Sequence, residues 1–162
     1  MRARSAIACL ATIAVADYVI QFHTPRWHAI ALFDHPAHVA TAILLGGTDR
    51  VYLAGSLAPD IDHIPAALGD PHVGDARPNT HSLAVVAATA LFNRKLAAGT
   101  AAHFLRDLAM DPGVPLFWPL TKRQFRVPYG AYAVLLLAAA YSRSRPCRAA
   151  PAHIPGASGR GP

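Results

Sequence analysis

The chain has 162 residues, 53% of them hydrophobic and only 15% charged, with a formal net charge of +6. That length suits one domain of moderate size, and a charged fraction well below the roughly 25% of soluble domains points to a membrane-associated chain. The basic residues are scattered at the ends of apolar runs instead of forming a patch with interleaved aromatics, which argues against nucleic acid as a partner and matches membrane flanks.

Residues 5–22, SAIACLATIAVADYVIQF, form the longest apolar run, with Arg2 and Arg4 before it. A cleavable signal needs small residues at its end. This run ends in YVIQFH, so an uncleaved anchor is expected. Asp17 is costly in such a run and has to face protein or water. HTPRWHAIALFDHP, residues 23–36, reads as a loop. AHVATAILLGG reads as a helix ending at Gly46-Gly47, and DRVYLAGSLAP as a second, short helix. Residues 64–80 read as a polar loop with Pro71, Gly74 and Pro78. SLAVVAATALF begins a helix behind Asn79-Thr80, both good N-cap residues, and Asn93-Arg94-Lys95 interrupts it. LAAGTAAHFLRDLAM is the next helix, stopped by Asp111-Pro112-Gly113. VPLFWPLTKRQFRVP is a loop whose Phe117 and Trp118 suit a membrane interface. YGAYAVLLLAAAY is the last apolar run, and a Pro/Gly/Arg-rich tail follows.

A spanning helix needs about 20 residues. Only the first run comfortably reaches that; the others have roughly 11–15, or about 16–23 Å of helix. Abundant alanine favours helix over strand. The expectation is an all-α, compact multi-helix membrane-associated bundle. It divides into an N-terminal anchor helix (residues 1–24), a helical domain (25–142) and a disordered C-terminal tail (143–162). A soluble all-α protein with one N-terminal anchor competes with it, because apolar runs of about 10–14 residues are often core helices. Cys9 and Cys147 have neither a disulfide-framework nor a zinc-finger spacing.

Polar side chains inside an apolar bundle need partners, and they fall into a pattern. GSLAPDIDHIP places Asp60, Asp62 and His63 between Pro59 and Pro65. His81 opens a helix in NTHS. His103 and Asp107 lie four apart, on one helical face. His38 lies near the start of a helix, with Asp34 and His35 just before it. Asp60-x-Asp62-His63 cannot close an ion's shell alone, but His38, His81, His103 and Asp107 offer ligands from other helices. A mixed His/Asp set suits Zn²⁺, Mn²⁺ or Fe more than Ca²⁺. Seven such groups exceed the four usual for one zinc, so one or two divalent ions fit, zinc or manganese first. Taken singly, Asp60 and Asp62 also read as helix caps and His103 as an interior histidine.

The ordered series DHPAHVATAILL, GSLAPDIDH, THS, AAHFLRDL and GVPLFWPL resembles the bacterial LexA-binding, inner-membrane-associated metal-dependent hydrolase family, over about residues 34–126. The resemblance implies a multi-pass α-helical protein of the inner membrane. It also implies a metal-dependent hydrolase site at His38, Asp60, Asp62, His63, His81, His103 and Asp107. The chain departs from the family at GDARPNTHS, where Arg77 is displaced from THS.

The leading expectation is therefore an inner-membrane hydrolase in which a metal-activated water attacks a phosphoester or another ester, with a lipid-like substrate among the options. Asp60 or Asp62 is the candidate catalytic carboxylate, and membrane lipid the surrounding partner. The competing expectations are a non-enzymatic membrane protein with a structural metal site and a divalent-metal transporter.

Overall fold

The computed structural model describes residues 1–23, 27–64 and 80–145; the side chains of residues 27–29 and of Asp62 also fall outside the description. Its elements are α1 (Ala3–His23), α2 (Trp27–Gly46), α3 (Arg50–Gly55), a 3-10 helix (Ala58–His63), α4 (Leu83–Phe92), α5 (Arg94–Asp107) and α6 (Tyr129–Ser144). The fold is all-α. Among the described residues there is no strand, only one antiparallel bridge between Val114 and Phe125 in the α5–α6 loop. His72 and Arg77, in the expected polar loop, lie outside the described residues, as does the tail from residue 146.

The segment expected as a loop over residues 23–36 is helical from Trp27 onward, with Pro36 inside the helix. A proline there removes one hydrogen bond, the one to the carbonyl four residues earlier. That residue is Leu32, which is exposed, so the orphaned carbonyl is not trapped in the core. The consequence is functional. Asp34, His35 and His38 sit on one continuous helix.

Gly47 follows α2 with φ +99, a left-handed conformation suited to glycine. Asp49 then caps α3, accepting from the backbone N–H groups of Val51 and Tyr52. The expected N-cap at Asn79-Thr80 falls instead at Ser82, which precedes α4. Asn93 interrupts the next run as expected, and does so by capping α5: its side chain accepts from Lys95 N and Leu96 N.

α5 is the hub, packed against α2, α3 and α4, while α1 packs on α2 and α6. The main core joins Ala6, Ile13 and Ala16 of α1 with Ala37, Ala40 and Leu44 of α2 and Tyr132, Leu136 and Ala140 of α6. So many alanines let the helices approach closely, and α1 is packed into the bundle as an integral member. It is also the one described helix long and apolar enough to cross a membrane. Its outer face carries exposed Ile7, Val15, Tyr18 and Phe22. Short, apolar α4 buries none of its residues. Apolar surface left this open suits lipid contact better than water.

Candidate metal centre

The centre is built around α5. His103 and Asp107, one turn apart, are both fully or almost fully buried. α3 and the 3-10 helix approach α5 through glycines. A Cβ on Gly99 would stand 2.0 Å from the Tyr52 carbonyl oxygen, and one on Gly55 would stand 2.1 Å from that of Leu96. That closeness brings the Ser56 carbonyl oxygen to 2.8 Å from His103 Nδ1. A carbonyl only accepts, so Nδ1 carries the hydrogen and Nε2 faces the cluster. His81, just before α4, is oriented in the same way. The Thr80 hydroxyl donates to the Pro59 carbonyl at 3.3 Å, and its oxygen, 3.1 Å from His81 Nδ1, accepts from the ring. His81 Nε2 is thereby also turned inward.

The inward-facing atoms converge. His103 Nε2 lies 3.0 Å from Asp107 Oδ2 and 3.4 Å from Asp60 Oδ1. His81 Nε2 lies 3.4 Å from Asp107 Oδ2 and 3.8 Å from Asp60 Oδ1. His63 Nε2 is 3.9 Å from the same Asp60 oxygen. On the other side, His38 Nε2 is 3.4 Å from Asp107 Oδ1, and its ring stacks on His103 with centroids 3.7 Å apart. Asp107 thus turns one oxygen to His38 and the other to His81 and His103.

Two neutral imidazoles oriented in this way direct lone pairs at each other, and the Nε2 atoms of His81 and His103 are only 3.3 Å apart. With the carboxylates of Asp60 and Asp107 on the same point, the arrangement is stable only around positive charge, a proton or a cation. The electrostatics of His103 show how strong the demand is. Burial opposes its charge, yet Asp107 and Asp60 push its pKa up to about 9. Burial likewise works against the Asp60 carboxylate, and the hydrogen bond with His35 together with the nearby imidazoles outweighs it, holding the pKa below the ordinary value.

Three overlapping sets have ligand atoms all within 4.8 Å of one another: His38, Asp60 and His103; Asp60, His63 and His81; His81, His103 and Asp107. The structure therefore gathers His38, Asp60, His63, His81, His103 and Asp107 around one centre. The side chain of Asp62 lies outside the described residues. The donor chemistry, imidazole nitrogen and carboxylate oxygen with the second nitrogens of His81 and His103 tied to hydroxyl and backbone oxygen, fits a divalent ion of the zinc or manganese type. The cluster is not sealed: Asp34, Asp60 and His63 are partly exposed and His35 is about half exposed.

Sequence reasoning gave no role to a second layer of residues. Arg106, fully buried on α5, donates to Asp17 of α1 and, at 2.8 Å, to Asp34 Oδ1. Tyr129 Oη donates to Asp17 Oδ2 at 2.7 Å. Asp17 does face protein, as its cost in an apolar run requires. A lone acid in one apolar run and a lone base in another were the available signal that the two pair.

Fold and site together define a helical membrane-associated protein with a buried, partly open His/Asp cluster. A family model, described as YdjM inner membrane protein, matches residues 9–156. The chain belongs to that family, which supports an inner-membrane location. That description names neither LexA nor hydrolysis. Searches of curated proteins and of solved structures found no match.

Proposed function

We infer that this protein is a metal-dependent hydrolase of the inner membrane, acting on a phosphoester or another ester. The observation that carries the reading is the convergence of His and Asp ligand atoms from α2, the 3-10 helix, the start of α4 and α5, with part of that cluster open to solvent. A structural site closes its shell, whereas a catalytic one keeps a position for water or substrate.

His38, His81, His103 and Asp107 supply the buried wall of the centre, and Asp60 and His63 its accessible edge. A divalent ion held there supplies Lewis-acid activation of water for attack on the ester. Asp60 is the candidate proton acceptor. Its Oδ1 faces the imidazoles and its Oδ2 lies 3.3 Å from Nε2 of the half-exposed His35. A proton taken by Asp60 thus has a route to solvent through His35. Exposed Leu57, Ile61 and Ile64 flank Asp60 and His63 in sequence, which favours a substrate with an apolar portion such as a membrane lipid. Exposed Phe117 and Leu120 in the α5–α6 loop suit the bilayer interface.

The test is hydrolysis of a panel of phosphodiesters, phosphomonoesters and carboxylic esters by the detergent-purified chain, with Zn²⁺ or Mn²⁺ supplied or chelated. Metal-dependent turnover that Asp60→Asn abolishes supports the reading. Bound metal without turnover on any of them favours a structural site, and metal flux in proteoliposomes a transporter.

A further inference from the structure

Asp34 stands outside all three ligand sets, yet it is wired to the centre. Its Oδ2 lies 3.4 Å from His38 Nε2, one helical turn away on α2. Its Oδ1 is held by Arg106 at 2.8 Å. Arg106 is fully buried, and a buried guanidinium needs counter-charges. Asp34 is one. The other is Asp17, from the helix that otherwise reads as a membrane anchor. Asp17 is itself fixed by Tyr129.

His38 depends on this layer more than His81 and His103 do. Among the described residues its Nδ1 and Nε2 make no aligned hydrogen bond. His103 and His81, by contrast, are oriented through Ser56 O and Thr80 Oγ1. Among the described residues, the ring of His38 is held by its stack on His103 and by the carboxylates of Asp34 and Asp107. We propose that Asp34 is a positioning residue for the metal centre, locked by Arg106, and that Asp17 of α1 tunes metal affinity by completing the charge balance of Arg106. The N-terminal helix is then part of the site's support as well as its tether to the membrane. The inference rests on the metal-centre reading above.

The test is calorimetric titration of the metal-free full chain in detergent with Zn²⁺ and with Mn²⁺. Asp34→Asn should bind the same number of ions with affinity lowered about 10- to 100-fold, the usual size of an outer-shell effect. Asp34→Glu, which keeps the carboxylate, should recover most of the loss. Asp17→Asn should weaken binding in the same direction, although Asp17 touches no ligand. Because that variant strands a buried cation and can fail to fold, the double variant Asp17→Asn/Arg106→Gln is measured beside it. It should match Asp34→Asn, and adding Asp34→Asn to it should cost nothing further. Asp111→Asn, an exposed surface acid paired with Arg126, is the control. Wild-type affinity in Asp34→Asn overturns the proposal, and so do strictly additive losses. A lower ion count in Asp34→Asn makes Asp34 a ligand instead. A wild-type chain that binds neither ion overturns the metal-centre reading itself, which is a distinct outcome.

Discussion

Ser56 and His103, forty-seven residues apart, are joined by a 2.8 Å hydrogen bond from the imidazole Nδ1 to the backbone carbonyl. The bond exists because α3 and α5 cross at Gly55 and Gly99, and it fixes which nitrogen of His103 meets Asp107 and Asp60. Fold and site are coupled through that crossing.

Gly99→Ala tests the coupling. The added methyl would lie 2.0 Å from the Tyr52 carbonyl oxygen, backbone that cannot rotate aside. The helices must separate, at a cost of about 1–3 kcal/mol or more. The Ser56–His103 bond should lengthen with them. Thermal unfolding should show a lowered midpoint, and metal content should fall with it.

Asn93→Ala makes the contrast. It removes the cap that accepts from Lys95 N and Leu96 N at the exposed start of α5, far along the helix from His103. The expected loss is about 1 kcal/mol of stability, read from chemical denaturation, with metal content unchanged.

Stability without metal should depend on pH in a set direction. His103 has a folded-state pKa of about 9, above the ordinary 6.5. Its contribution is therefore fully present below pH 6.5 and lost as pH rises through about 9, on the order of 3 kcal/mol. Chelator-treated protein should weaken across that range in denaturant titrations, and His103→Gln should flatten the slope. Metal binding has the opposite trend, because the ion displaces the same proton: affinity should rise with pH over this interval.

Membrane association is checked separately. Alkaline carbonate washing should leave the chain in the membrane fraction, since α1 is long and apolar enough to cross and its outer face is exposed. Release into the supernatant would contradict the integral-membrane reading.

Much of this was legible in the residues. His103 and Asp107 announced themselves by a spacing of four, and GSLAPDIDH by placing charge where the chain is otherwise apolar. The all-α fold followed from alanine and from the apolar runs. What stayed hidden depends on distance along the chain. Arg106 looks like an ordinary helical arginine until its partners, 89 and 72 residues away, are in place. The first half of α2 was hidden by Pro36, since FDHP has the composition of a turn, while its second half, AHVATAILLGG, was read as helix. Only the folded chain shows that the proline is accommodated on an exposed face, which puts Asp34 and His35 in register with His38. The order in which His81 and His103 meet Asp60 is equally a property of helix packing, and no local pattern encodes it.

Everything proposed for this site requires that these residues hold a divalent ion. Its most direct test is metal analysis by plasma mass spectrometry of detergent-purified wild type beside Asp60→Ala and His103→Ala. The wild type should carry about one to two equivalents of a zinc- or manganese-type ion, and both variants should lose most of it. Full metal content in the variants, or none in the wild type, would contradict it.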